Sequence, residues 1–165
     1  MILRSLLPTD EQNAILAHHE LALDNFEFLL GYDEGMNWIA YLKILENEHL
    51  NQDLPEGRVP ATFLVAVRDG TIVGRTSIRH SLNEFLFNYA GHIGYGVRPR
   101  SRGQGIATEI LRQSLEIIHA LGVTDVLMTC DDDNLGSAKV IEAFGGVLEN
   151  RVDFEGVIKR RYWIR

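Results

Sequence analysis

Several things are scarce in this chain of 165 residues, and each scarcity excludes a class of protein. A single cysteine, Cys130, rules out an internal disulfide framework, and its place in the apolar run VLMTC reads as a buried structural thiol rather than a nucleophile. Basic residues are outnumbered: 16 Lys and Arg stand against 23 Asp and Glu, a formal net charge of −7, and no basic run marks a nucleic-acid surface. That acidic balance is compatible with drawing in a cationic amine and equally with plain solubility. No apolar stretch approaches membrane-spanning length, and the opening MILRSLLPTDEQ is too short for a signal peptide and is interrupted by Asp10 and Glu11. A soluble, cytoplasmic protein with no membrane and no nucleic-acid partner is therefore expected. The six histidines form no ligand cluster; His18 and His19 are neighbours expected on the solvated side of a helix, so no metal site is expected. Repeats and low-complexity tracts are absent, and 45% hydrophobic content is enough for one core, which predicts a single domain over residues 1–165.

What is present concentrates in VRPRSRGQGIATEIL, Val97 to Leu111. Before it, HIGYGV alternates, with Ile93, Tyr95 and Val97 on one face and His92, Gly94 and Gly96 on the other, the period of a strand. Two glycines on one face imply a close approach. After it, Ala107, Leu111, Leu115, Ile118 and Leu121 keep helical spacing, widened by Ile106, Ile110 and Ile117, until Gly122 stops the helix. Between them, Gly103 and Gly105 allow a tight turn whose N–H groups, with the positive end of a helix dipole behind them, suit phosphate. A nucleoside-triphosphate loop is excluded because no lysine follows the glycines. A dinucleotide fingerprint fits poorly: Thr108 stands where the third glycine belongs, and Asp125 opens the next strand instead of closing it. A strand-to-helix turn with no ligand is the plain structural reading.

The rest of the chain can be laid out coarsely. Ile2 to Leu6 reads as a strand, and a helix from Pro8-Thr9-Asp10, capped by Thr9 or Asp10, carries Ile15, Leu16 and Leu21. Trp38, Tyr41, Leu42 and Leu45 space a second helix, which Asn51 to Gly57 closes in a loop. ATFLVAV and TIVGRTSIRH are strands joined at Asp69-Gly70, a strong hairpin signal. The order β-α-α-β-β-β-α-β-α-β, with room for one more strand, predicts an α/β fold whose mixed sheet carries helices on both sides.

The run Arg100-Ser101-Arg102-Gly103-Gln104-Gly105 resembles the Q/R-x-x-G-x-G/A signature of the GCN5-related N-acetyltransferases, the GNAT family. Asn134, Ser137, Glu142 and Gly145 in DNLGSAKVIEAFGG are similar to the second motif of that family, N-x-x-S-x-x-x-x-E-x-x-G. The two motifs span about Gly91 to Leu148, and RVDFEGVIKRRYWIR resembles the closing strands. The sequence N-x-x-S-x-K-V-I-E is more similar to the branch that includes the ribosomal-protein N-terminal acetyltransferases. The resemblance implies a single-domain, mostly antiparallel sheet splayed at an acetyl-CoA site. It also implies transfer of acetyl from thioester to a primary amine, on a small molecule or a peptide, by direct attack in a ternary complex. Family members often dimerise, so a homodimer stays open, as do a non-catalytic acyl-CoA sensor and a transferase of longer acyl chains.

Roles follow from the chemistry and the resemblance together. Backbone N–H groups of Arg102, Gly103, Gln104, Gly105, Ile106 and Ala107 would hold the pyrophosphate. The resemblance assigns Val97 N–H to the thioester oxygen and Asn134 to the pantetheine amide, the latter also readable as a plain helix cap. A base must take a proton from the ammonium; His92 stands where relatives carry a glutamate, with His80 and the loop residue Glu84 as further candidates and structural roles open for all three. The usual family tyrosine, four residues after the motif serine, is Ile141 here, which leaves Ser137 or Tyr95 to protonate the leaving thiolate, or no acid at all. Ser137 can equally bond the cofactor or the helix backbone. Lys139 can reach a cofactor phosphate or stay solvated.

Overall fold

The computed structural model describes residues 1–165. Its strands are β1 (Ile2–Arg4), β2 (Ala61–Arg68), β3 (Thr71–Arg79), β4 (Ile93–Val97), β5 (Val126–Asp131), β6 (Val147–Phe154) and β7 (Val157–Ile164). The helices are α1 (Glu11–Ala22), α2 (Trp38–His49), α3 (Ile106–Ala120) and α4 (Leu135–Ala143). The additional closing strand is present, as β7.

The strands form two antiparallel sheets, β1-β2-β3-β4 and β5-β7-β6. They meet at the start of β4, where His92 N–H donates to Leu127 C=O at 2.7 Å and Leu127 N–H donates to His92 Nδ1 at 2.9 Å. Beyond that contact β4 and β5 no longer pair, so the expected splay is a parting of one mixed sheet into two.

One core lies between α1, α2 and the first sheet, around Leu21, Phe28, Leu29, Trp38, Tyr41, Phe63 and Val65. Another lies between α3, α4 and both sheets, around Ile78, Ile93, Leu111, Ile118, Met128, Ile141 and Tyr162. The register explains this division. Gly74, Thr76 and Ile78 share the α3 side with Ile93, Tyr95 and Val97, whereas Arg75, Ser77 and Arg79 share the opposite side with His92, Gly94 and Gly96.

Several local readings are corrected. The carboxylate of Asp10 does not cap α1; it turns back to accept from Leu7 N–H at 2.8 Å and pairs with Arg4. On α1 the buried positions are Ala14, Ala17 and Leu21, and Leu16 is exposed. Leu121 is likewise exposed, and the α3 stripe is completed by Ser114, whose hydroxyl donates to Thr76 Oγ1. His18 is not solvated: its Nδ1 accepts from Leu29 N–H at 3.1 Å and fastens the segment after α1. The hairpin at Asp69-Gly70 is as expected, both residues taking positive φ.

Candidate active site

The cleft opens where β4 leaves β5. It encloses about 690 Å³ and is lined by Tyr95, Gly96 and Val97 of β4, the turn through Arg102, Gly103 and Gly105, the start of α3, Asn134 and Ser137 of α4, and Asp24 and Phe26 after α1. Tyr95 faces the α3 side of the sheet and Gly96 the other side, so the cleft communicates with both.

The edge of β4 follows from its pairing. Arg98 N–H donates to Val73 C=O and Arg79 N–H to His92 C=O, so even-numbered residues of this strand bond toward β3. Tyr95 and Val97 therefore present their N–H and C=O to the cleft. Arg102 confirms this for Val97, its Nε donating to Val97 C=O at 3.1 Å, while its Nη2 pairs with Asp24 at 2.6 Å.

At the head of the cleft the turn does what its glycines suggest. Gly103 and Gly105 have φ of 70° and 74°, the left-handed region, and no heavy atom lies within 4 Å of where their Cβ atoms would stand. The consecutive N–H groups from Gly103 to Thr108 donate to no acceptor in the protein. Those groups and the helix dipole make a positive pole with no internal partner. Arg98, buried below, is tied to Glu20 at 2.7 and 2.8 Å and to Ile72 C=O, which fixes the turn onto α1 and β3. Arg100 also pairs with Glu20, at 3.1 Å.

The Tyr95 hydroxyl is buried and has no hydrogen-bond partner. Burial raises its pKa above the usual phenol value, and the nearby Ser137 hydroxyl draws it partly back. Asn134 caps α4, its Oδ1 accepting from Ser137 N–H at 3.0 Å, which leaves its amide nitrogen free toward the cleft.

Other expected residues lie elsewhere. Gln104 does not line the cleft: its amide donates to Arg100 C=O at 2.9 Å and accepts from Arg68 at 2.6 Å, pointing it toward the β2–β3 hairpin. His92 is buried, and because Nδ1 accepts from Leu127 N–H, its neutral ring carries the proton on Nε2 and has no lone pair to offer an amine. Burial, and then the charge of Arg79, lower its pKa. His80 bonds Thr62 Oγ1 at 2.8 Å, Thr62 in turn bonds His49 at 2.9 Å, and neither His80 nor Glu84 lines the cleft. Lys139 is exposed outside the cleft lining. Cys130 is buried with its thiol pushed up to about 11, chiefly by burial, and is no nucleophile. Ile141 is a core residue with no exposure, and Glu142 accepts from Tyr162 OH at 2.9 Å, linking α4 to β7. The sequence reading missed Arg75 and Arg79; the only signal was their spacing of four on a strand, which puts both on one face.

Two antiparallel sheets parted by a cleft, with an anion-ready turn at its head, make a site for an extended anionic ligand in an α/β fold. Residues 2–147 match the family described as acetyltransferase (GNAT) domain, and the chain belongs to that family. No curated protein matches it by sequence. Among solved structures it is similar to yncA from Salmonella typhimurium, solved with its cofactor acetyl-CoA, with a TM-score of 0.69 and 15% identity over 99% of this chain and 92% of that one. It is similar to the ribosomal-protein-alanine N-acetyltransferase of Brucella melitensis, with a TM-score of 0.69 and 18% identity over 99% and 98% of the two chains. It is also similar to the ribosomal-protein-S5-alanine acetyltransferase of Vibrio fischeri, with a TM-score of 0.70 and 17% identity over 98% and 90%. No helix is long and apolar enough to cross a membrane.

Proposed function

We propose that the chain is an N-acetyltransferase that takes its acetyl group from acetyl-CoA and passes it to a primary amine by direct attack in a ternary complex. The observation that carries this reading is the row of unsatisfied N–H groups from Gly103 to Thr108, opening into the same cleft as the free edge of β4 and the unpartnered Tyr95 hydroxyl. An extended, phosphorylated thioester fits all three.

When bound, acetyl-CoA supplies an acyl carbon activated by a thiol leaving group. The turn from Gly103 to Thr108 would hold the pyrophosphate, and the exposed edge of β4 would pair with the pantetheine arm as an added strand, with the Asn134 amide on one of its carbonyls. Val97 N–H would bond the carbonyl oxygen as it gains charge during attack. Tyr95, kept protonated by its burial, donates a proton to the departing sulfur, with Ser137 beside it. Asp24 is the sole carboxylate lining the cleft and is paired with Arg102, so the proton of the ammonium leaves to water rather than to a side chain. No acyl-enzyme forms, because Cys130 lies in the core and Tyr95 stays neutral. Ile141 packs in the core where many relatives carry a tyrosine, and Tyr95 supplies the hydroxyl instead, which supports a working enzyme over a non-catalytic sensor.

Calorimetric titration with acetyl-CoA, followed by thiol release across a panel of primary amines, tests the reading. Binding with amine-dependent thiol release is expected. Binding without release on any amine favours the sensor, and no binding removes the cradle assignment.

A further inference from the structure

We propose that the acceptor amine carries a carboxylate, and that Arg79 binds it on the face of β4 that bears Gly94 and Gly96. This rests on the acetyl-transfer reading above and names the class of its second substrate.

Two arginines of β3 lie on this face, and they differ in how they are satisfied. Arg75 is buried and fully engaged: Nη1 donates to Gly94 C=O at 2.8 Å, Nη2 donates to Glu27 C=O at 2.7 Å, and the guanidinium sits 4.4 Å from the centre of the Phe26 ring. Arg79 donates no side-chain hydrogen bond and makes no ion pair, and its Nη1 is buried without a partner. Its guanidinium lies against the Cα of Gly94, with Nη1 3.0 Å and Nη2 3.4 Å from where a Cβ would stand, so a side chain there would push the guanidinium aside. The residue as a whole is half-buried, although Nη1 itself is not exposed.

The charge balance points the same way. The carboxylate facing this arginine from α2 is Glu48, which lies 3.3 Å from Arg58 and makes no bond to Arg79. Arg58, Arg75 and Arg79 thus face two carboxylates here, Glu48 and Glu27, in a chain that is acidic overall. A buried guanidinium without an anion is costly, and its planar fork of donors matches a carboxylate two-pronged. Gly94 adjoins Tyr95 and stands about 10 Å along the strand from Val97. Gly96, on the same face, lines the cleft, where the Phe26 ring packs against it. Gly94 and Arg79 lie beyond the cleft lining, two residues along β4 from Gly96, so an amine entering beside Gly96 would extend its carboxylate along the strand to meet Arg79. An amino acid or short acidic peptide meets this requirement; a polyamine does not.

The test measures thiol release by the full chain on amines that differ in one group: amino acids and short acidic peptides against their carboxamides. Free carboxylates are expected to be used roughly 10- to 100-fold better in kcat/KM. Arg79→Gln should remove that preference through KM and leave the acetyl-CoA affinity unchanged, and Arg79→Lys should keep part of it. Carboxamides used as well as carboxylates, or an Arg79→Gln variant that slows both alike, would overturn the proposal. If no amine in the panel turns over, calorimetric titration with succinate in the presence of CoA decides: binding lost in Arg79→Gln supports the site, and absent or equal binding overturns it. Failure of the unmodified chain to bind acetyl-CoA would instead refute the acetyl-transfer reading, and the succinate titration would still decide on Arg79.

Discussion

The two sides of β4 are built from different materials. On the cleft side the groups without a partner are backbone: the N–H and C=O of Tyr95, the N–H of Val97, and the N–H row from Gly103 to Thr108. On the opposite side the groups presented are side chains: Arg75, Arg79 and the rings of Phe26 and Phe63. Backbone recognition depends on a turn and a register, which many sequences can satisfy, so it suits a donor common to a family. Side-chain recognition changes with each substitution, so it suits an acceptor particular to one protein.

If the contrast is right, damage to the backbone side abolishes donor binding whatever the acceptor. Gly105→Val, which forces a β-branched residue to positive φ and fills the turn, should cost about 1–3 kcal/mol of stability. Its Kd for acetyl-CoA should rise roughly 100-fold, the loss of nearly 3 kcal/mol of binding, as calorimetry would show. Unchanged affinity would refute the turn as the phosphate site.

Tyr95→Phe separates chemistry from binding. Loss of a general acid should lower kcat by about 100-fold while acetyl-CoA affinity holds. Because burial raises the Tyr95 pKa above the usual phenol value, its ionisation should give the unmodified enzyme an alkaline limb, beside the acid limb set by protonation of the acceptor amine. The alkaline limb should vanish in the variant, and an unaltered kcat would remove Tyr95 from the reaction.

A smaller effect, on stability rather than rate, is expected at the junction of the two sheets. His92→Ala leaves Leu127 N–H without its acceptor and should cost about 1–3 kcal/mol, read from denaturant unfolding. The shape of the turnover-versus-pH profile should not change; a lost limb would restore His92 as the base. The lowered His92 pKa also fixes a sign. As pH falls below the ordinary histidine value of about 6.5, the unfolded chain binds a proton that the folded chain refuses, so stability falls through that window until the folded pKa is reached. His92→Asn, which can still accept from Leu127, should flatten that dependence.

The smallest effect belongs to Gln104, which has the motif position but points away. Gln104→Ala should change stability by no more than about 0.5 kcal/mol and leave the acetyl-CoA affinity as it is.

The backbone side was also the legible side. Alternation in HIGYGV, the paired glycines and the helical stripe after them place β4, the turn and α3 correctly, because periodicity and glycine placement are local properties. The roles of individual side chains were less legible. His92 sits at a position suited to a base, yet its ring nitrogen is engaged by Leu127, 35 residues away and invisible to local pattern. Gln104 belongs to the motif, yet it bonds Arg68 across the sheet. Arg79 is not legible in the sequence, because a strand arginine reads as solvated until the register shows which face it shares with Gly94.

The most direct measurement is amide chemical-shift mapping of the unmodified chain titrated with acetyl-CoA. The structure predicts the largest shifts at Tyr95, Val97 and the amides from Gly103 to Thr108, with little change around Leu42, Leu45, His49 and Thr62, which line a separate cavity between α2 and β2. Shifts centred on that second cavity, or none at all, would contradict it.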